Sequence, residues 1–194
     1  MKIILKEEIY QEEIKHSKFI TLLFLVKSKE EIKTYLEKVK REYPKANHYC
    51  YAFRLEQEKG MSDDREPAKT AGAPMLTVLE KQDMVQILAV TVRYFGGIKL
   101  GPGGLIKAYT SGVQHALELA SKQEVEPGYE VTISCSYQEE KKLERMFQTL
   151  RKKNKYYDEK CHLVYYVTKK ELELMQEVAL EYCTPTLIPK GKDI

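Results

Sequence analysis

The segment Tyr94-Phe95-Gly96-Gly97-Ile98-Lys99-Leu100-Gly101-Pro102-Gly103-Gly104 holds five of the chain's ten glycines, and its flanks fix what it joins. Before it, Val85-Gln86-Ile87-Leu88-Ala89-Val90-Thr91-Val92-Arg93 is an apolar run of strand length. After it, Leu105-Ile106-Lys107-Ala108-Tyr109 opens an apolar stripe with helical spacing. A strand, a glycine-rich loop and a helix N-terminus in succession can present backbone N–H groups to an anion. Each glycine costs about 0.5–1 kcal/mol against alanine in regular structure, so five together imply positive φ or a close approach by another group. No Gly-Lys-Ser/Thr follows the loop, and Gly101-Pro102-Gly103-Gly104 breaks the G-x-G-x-x-G spacing. Phosphate contact and a tight ligand-free crossover both remain open on the loop's residues alone.

The rest of the chain sets bounds. At 194 residues and 43% hydrophobic it can build real cores, as one large or two small domains. Its longest apolar run, Phe19-Ile20-Thr21-Leu22-Leu23-Phe24-Leu25-Val26, is far below the ~18–20 residues of a membrane span. Acidic Glu7 and Glu8 come too early for a signal peptide, so a cytoplasmic location without membrane contact is expected. Cys50, Cys135, Cys161 and Cys183 lie far apart, with no metal-ligand or disulfide-scaffold spacing. They read as buried reduced thiols, and no metal or cofactor is assigned. The net charge of +3, from 32 basic and 29 acidic residues, demands that any nucleic-acid role use a local patch.

Periodicity divides the chain into residues 1–127 and 128–194, with Glu126-Pro127-Gly128 as the hinge. In the first part, strands are expected over Ile3–Ile14, Phe19–Val26, His48–Leu55 and Val85–Tyr94. Helices are expected through Ile32–Tyr43, from near Thr70 through Leu79, and over Leu105–Ser121. In the second part, Val131–Tyr137 alternates as a strand, and Leu143, Met146, Phe147 and Leu150 mark one face of a helix. Tyr156–Lys160 and His162–Thr168 read as a hairpin. Leu172, Met175, Val178, Ala179 and Tyr182 mark a second helix, and Thr184–Ile188 a last strand. The fold class is α+β, and the order β-α-β-β-α-β is that of the ferredoxin-like split unit.

A second concentration of chemistry is Ser62-Asp63-Asp64-Arg65-Glu66-Pro67-Ala68-Lys69-Thr70-Ala71-Gly72, lying between a strand and a helix. Asp63, Asp64 and Glu66 can divide acid and base roles or hold a hard metal. Equally, Thr70 can cap the helix with Glu66 near its positive end. Lys18, Arg54, Lys69, Arg93, Lys99 and Lys107 are cations able to share a surface with the glycine loop. Tyr49, Tyr51, Tyr94 and Tyr109 are candidate stacking partners for bases. The run Arg151-Lys152-Lys153-Asn154-Lys155 reads as a solvated turn between a helix and a strand.

The pattern Ser62-Asp63-Asp64-x-Glu66-Pro67-x-x-Thr70-Ala71-Gly72-x-Pro74-Met75-Leu76, followed by Val92-x-Tyr94-Phe95-Gly96-Gly97-Ile98-Lys99-Leu100-Gly101-x-Gly103-Gly104-Leu105, resembles the YigZ/IMPACT family. Lys18-Phe19-Ile20 and Asn47-x-x-Cys50-Tyr51-Ala52-Phe53-Arg54 are similar to that family's upstream motifs. The resemblance implies an N-terminal domain like domain 2 of ribosomal protein S5. It also implies a ferredoxin-like C-terminal domain, similar to the last domain of a translocating elongation factor. Nucleic-acid binding and regulation of translation follow by fold analogy. Eukaryotic members act through an additional N-terminal partner-binding domain; this chain starts at the IMPACT-type domain, so that mechanism is not carried over. Arg65 stands where the family has glycine, and Ala68-Lys69 where it has small residues.

The function expected is that of a cytosolic, non-enzymatic binding protein whose partner is RNA or a ribosome-associated protein. Phosphate contact is assigned to Arg54, Lys69, Arg93, Gly96, Gly97, Lys99, Gly101, Gly103, Gly104 and Lys107 in one basic groove. Asp63, Asp64, Glu66 and Thr70 form an acidic loop of unassigned role, and no residue is assigned to catalysis. The alternatives are a phosphate-ester or nucleotide-processing enzyme using Asp63, Asp64 and Glu66, and a protein–protein adaptor docking through the C-terminal sheet.

Overall fold

The computed structural model describes residues 1–175 and 178–190. In chain order the elements are β1 (Lys2–Ile4), β2 (Glu8–Ile14), β3 (Ser17–Leu25), α1 (Lys29–Glu42), β4 (His48–Arg54), β5 (Lys59–Ser62), α2 (Gly72–Lys81), β6 (Ile87–Tyr94) and α3 (Gly101–Leu119). There follow β7 (Lys122–Cys135), α4 (Glu140–Met146), β8 (Arg151–Tyr157), β9 (Cys161–Val167), α5 (Lys169–Leu174) and β10 (Tyr182–Pro189). The chain is a mixed α/β protein of two units, Met1–Gln123 and Glu124–Ile194.

The first unit is built on an antiparallel sheet in the order β2-β3-β6-β4-β5. β3 and β6 are apolar at consecutive positions because both of their faces are covered, with alternate side chains pointing to opposite sides. Phe19, Leu23, Ile87 and Ala89 pack with Met75 and Leu79 of α2 and with Leu105 and Tyr109 of α3. Ile20, Leu22, Phe24, Leu88, Val90 and Val92 pack with Ile32 and Val39 of α1. Ser28 starts α1 by accepting from the Glu31 N–H at 3.2 Å, which satisfies one of the helix's orphan donors. The β4–β6 register pairs His48 with Arg93 and Arg54 with Ile87, so the two arginines lie at opposite ends of the sheet.

Several expected boundaries move. The stretch Ile3–Ile14 is two strands, separated at residues 5–7. β5 has no apolar alternation in Lys59-Gly60-Met61-Ser62; it forms by edge pairing to β4, a tertiary cause that periodicity does not register. Thr70 does not cap α2: its hydroxyl donates to the Pro67 carbonyl at 2.6 Å, and α2 starts at Gly72.

Within the second unit the strands neighbour one another in the order β10-β7-β9-β8, and these three pairings are antiparallel. Val131, Ile133, Leu163, Tyr165 and Val167 line one face, together with Phe147 and Met175. Glu126-Pro127-Gly128, expected as a hinge, is continuous strand in β7, paired to Ile188, Leu187 and Thr186 of β10. The division between units falls earlier, after Gln123. The basic run from Arg151 is β8 rather than a turn. Its charges are matched: Lys152 by Glu144, Lys153 by Glu130 at 2.6 Å, and Lys155 by Glu140 at 2.6 Å. Helix α5 ends at Leu174, earlier than the expected stripe, and Tyr182 belongs to β10. Residues 176–177 of that stripe lie outside the described residues. No helix among the described residues is long and apolar enough to cross a membrane.

On the sheet face opposite this core, His162 sits between two carboxylates. Its Nε2 is 2.9 Å from Asp158 and its Nδ1 2.9 Å from Glu181, with Tyr156 stacked on the ring at 4.5 Å. The hydrogen bond to Asp158, helped by Glu181, holds the imidazole above its ordinary value. Asp158 is held low by the Lys160 main chain and then by His162, and Glu181 by Ser134 and then by His162. A raised histidine stabilises the fold fully below its unfolded value, and that contribution is lost as pH climbs through the folded one. The carboxylates contribute in the opposite sense, being lost as pH falls through their depressed values. Urea midpoints of the wild type and His162→Gln at pH 5 to 9 should therefore converge as pH rises above about 6.5. A gap independent of pH would show that the ring acts only by packing.

Candidate functional site

The glycine loop leaves β6 beside the β2–β3 turn, and the first half of the loop is committed to the protein itself. A Cβ on Gly96 would lie 2.0 Å from the His16 backbone carbonyl, so only glycine fits there. The Gly96 N–H donates to Ser17 Oγ at 3.2 Å, and the Phe95 N–H to Asn47 Oδ1 at 2.8 Å. Gly97 then turns the chain at φ 85°. These two amides, the first of which belongs to an expected anion ligand, are already occupied.

The second half of the loop is open. α3 starts at Gly101, and the preceding Leu100 supplies no side-chain acceptor to cap it. The first amides of a helix have no intrahelical partner, and together with the helix dipole they favour negative charge. Pro102 has no N–H, which leaves those of Gly101 and Gly103; Gly104, also expected to contact phosphate, stands past the orphan positions and lines a different hollow. A Cβ at Gly101 or Gly103 would meet nothing within 4 Å, so this backbone faces open space. Beside it lies a hollow of about 390 Å³, whose walls include His48, Glu66, Arg93, Phe95, Lys99 and Gly101.

Under the hollow is a buried polar hub. Arg93 is 4% exposed, and its Nη1 donates to Glu66 Oε1 at 2.6 Å. The same oxygen accepts from the Tyr109 hydroxyl at 2.8 Å and lies 3.8 Å from His48 Nε2. Cys50 Sγ sits 3.4 Å from the Tyr109 hydroxyl and 3.0 Å from the Asp63 carbonyl oxygen. The Arg93 guanidinium lies over the rings of both Phe19 and Phe95, 5.3 and 5.5 Å from their centroids, and its Nε is buried without a hydrogen-bond partner. Burial pushes the Cys50 thiol up to about 12 and raises the Tyr109 phenol far above its ordinary range. Burial thus favours the neutral form of both, opposite to the low thiol value that a reactive cysteine needs.

The acidic loop is the support of this hub. Asp63 Oδ1 accepts from the N–H groups of Ala71 and Gly72 at 3.0 and 2.8 Å, and Oδ2 from that of Lys69 at 2.8 Å. Asp63 thereby caps α2 from eight residues away, the role that Thr70 was expected to fill. Asp64 Oδ2 accepts from the Tyr49 N–H at 2.7 Å, and the Asp64 carbonyl is 2.9 Å from His48 Nδ1. Asp64, Arg65 and Lys69 all have positive φ, at 36°, 69° and 64°. The loop therefore keeps a tight shape even where charged residues replace small ones. Its carboxylates hold main-chain amides and Arg93 and do not converge on a shared point, so the enzyme alternative built on Asp63, Asp64 and Glu66 loses its geometric basis.

The single basic groove is not formed. Arg93 is spent on Glu66, and Arg54, at the far end of β4, donates to the Leu79 carbonyl at 3.4 Å. Lys69 lines a separate groove with Lys81 and Ile106, and Lys107 lines a third hollow with Glu12 and Ser111. Of the expected cations only Lys99 and Arg93 reach the hollow at the start of α3. Tyr109 is wholly buried, Tyr49 and Tyr51 pack on the α1 side of the sheet, and the Tyr94 hydroxyl donates to the Pro44 carbonyl at 3.2 Å. The aromatic ring that does border the hollow is Phe95, 44% exposed, which sequence reasoning passed over. His48 was also missed as a wall residue. Its alternation with Cys50 in one strand is the signal that places both on the same face.

Comparison with known proteins places these residues in context. Residues 15–117 match the family described as the Impact N-terminal domain. The IMPACT family member YigZ of Escherichia coli (strain K12) is 47% identical over 131 residues, which cover 65% of this chain and 64% of that protein. An IMPACT family member from Haemophilus influenzae is 45% identical over 120 residues, 59% of this chain and 58% of its own length. The match thus spans less than two thirds of these curated relatives. A crystal structure described as that of an hypothetical protein superposes with a TM-score of 0.65 at 33% identity, covering 99% of this chain and 98% of the other.

Two measurements check the site's construction. Removing one partner of a buried ion pair strands the other charge, so Glu66→Ala should cost about 3–5 kcal/mol in urea unfolding. Gly96→Ala, with its clash against backbone, should be destabilised by about 1–3 kcal/mol or more. Gly103→Ala, in open space within a helix, should be neutral or gain about 0.5–1 kcal/mol. Equal effects at Gly96 and Gly103 would refute the division of the loop into a packed half and an open half.

Proposed function

Because this chain belongs to the IMPACT family, defined by the Impact N-terminal domain, we propose that it is a non-enzymatic RNA-binding protein acting in the regulation of translation. A phosphate of the RNA sits at the uncapped start of α3, with Lys99 supplying the charge. The observation that carries this reading is the open N-terminus of a 19-residue helix facing a hollow that also holds a buried, incompletely bonded arginine. Helix N-terminal amides recognise phosphate oxygens without reference to sequence. Phe95, held in place by the guanidinium beneath it, offers a base-stacking surface at the rim. An unstacked base beside a bound phosphate is a feature of single-stranded RNA more than of a duplex.

A first unit like domain 2 of ribosomal protein S5 and a ferredoxin-like second unit would both have relatives that work on the ribosome. The antiparallel order β10-β7-β9-β8 in a β-α-β-β-α-β chain supports the second of these.

Fluorescence anisotropy with a short single-stranded RNA, titrated across a range of salt concentrations, tests the site. Lys99→Ala should flatten the plot of log K against log salt by about 0.7, the value for one phosphate contact on a single strand. Phe95→Ala should weaken binding by about 1–3 kcal/mol, the worth of one stacked base, with the salt slope unchanged. Unaltered affinity and slope in both variants would remove RNA from this surface.

A further inference from the structure

A second hollow lies on the other side of the first turns of α3, and its chemistry differs from that of the RNA site. It encloses about 360 Å³ between α3 and the β2–β3 hairpin. Lys107, Ser111 and His115 recur every four residues on α3 and so share one helix face. Glu12 and Ile14 face them from alternate positions of β2, and Lys15 comes from the turn, where its φ of 47° carries it out of the strand. Ile14, Leu100 and Ala108 make the apolar part of the wall.

Four groups in the lining of this hollow have unused bonding capacity. The ammonium groups of Lys15 and Lys107 enter no ion pair among the described residues, although Glu12 shares the same space. Glu12 Oε1 accepts from Ser111 Oγ at 3.0 Å, which leaves its other oxygen free. His115 Nδ1 is buried without a hydrogen-bond partner, while Tyr10 packs on its ring at 4.9 Å. An unpaired buried polar atom is costly, and native proteins keep few of them. Two cations and one half-satisfied carboxylate describe a lining complementary to a molecule with both an anionic and a cationic group.

We propose that this hollow binds a small amphoteric anion, a phosphomonoester or carboxylate that also carries an amino group. Lys15 and Lys107 hold the anionic end, and the free oxygen of Glu12 takes the ammonium. This ligand class is independent of the RNA reading, which uses Lys99 and the opposite side of α3.

Titration of O-phospho-L-serine into the full ¹⁵N-labelled chain, followed by amide NMR, tests the assignment, and the spectrum itself reports whether each variant is folded. Shifts should appear at Lys15, Lys107, Ser111 and His115, with saturation in the millimolar range. Lys15→Ala and Lys107→Ala should each weaken binding about tenfold, the effect of losing one charge-assisted hydrogen bond. Lys99→Ala should leave it unchanged. N-acetyl-phosphoserine, which lacks the ammonium but mimics the residue within a peptide, should bind more weakly than the free amino acid. Shifts confined to residues 99–104, no shift at millimolar probe, or unchanged affinity in both lysine variants would overturn the site. Equal affinity for the acetylated probe or for inorganic phosphate would overturn the amphoteric ligand.

Discussion

The buried pair Arg93–Glu66 is the contact on which the first unit's functional end depends. Arg93 comes from the end of a central strand, Glu66 from a loop, and Tyr109 from the helix that covers the sheet, so one carboxylate oxygen ties three elements. Taking both charges out of water is expensive, and an apolar replacement of the same volume would serve stability as well. What the pair supplies is position. With either partner displaced the other would be a buried bare charge, and this penalty fixes where the acidic loop sits against β6 and α3. The three amides on Asp63 do the rest, closing the loop so that Glu66 reaches inward.

That commitment changes the electrostatics of the site. The arginine most naturally read as a phosphate ligand is neutralised by its own carboxylate, so the positive field comes from the helix terminus and one lysine rather than from a row of side chains. A formal charge of +3 on the whole chain agrees with such a surface. On the proposed RNA reading, binding built this way would be local, worth one or two phosphates, and would depend on a base finding the Phe95 ring. It would discriminate against uniform duplex backbone by geometry, where a basic groove would have attracted any polyanion.

Much of the fold was legible because burial leaves a period. β3, β4 and β6 and the helices α1 and α3 were read from apolar spacing, and so was the order of the second unit. β5 was not, since an edge strand with one partner needs no apolar alternation. The start of β8 was hidden by its lysines, which look like a turn until Glu130, Glu140 and Glu144 are seen opposite them. At the site, the glycine loop announced itself through composition. Its division into a half packed on His16 and a half open to solvent depends on where the β2–β3 turn lands, and that is a tertiary fact. The same holds for Arg93: an arginine ending a buried strand is either a ligand or a partner, and only the position of Glu66 decides which.

The three hollows around α3 are separate for a simple reason of helix geometry. Lys99 precedes the helix and Lys107 lies well inside it, so nearly two turns and a change of face come between them. Leu100 borders both the hollow with Lys99 and the hollow with Lys107, and a Cβ on Gly104 would press on it at 2.9 Å. The glycine-rich first turn is therefore a thin shared wall, one leucine thick. Any side chain added at Gly104 must move Leu100 and alter both hollows together, whereas the lysines can be removed one hollow at a time. Glycine at this position is required less for the backbone's own conformation than for the room it leaves to its neighbour.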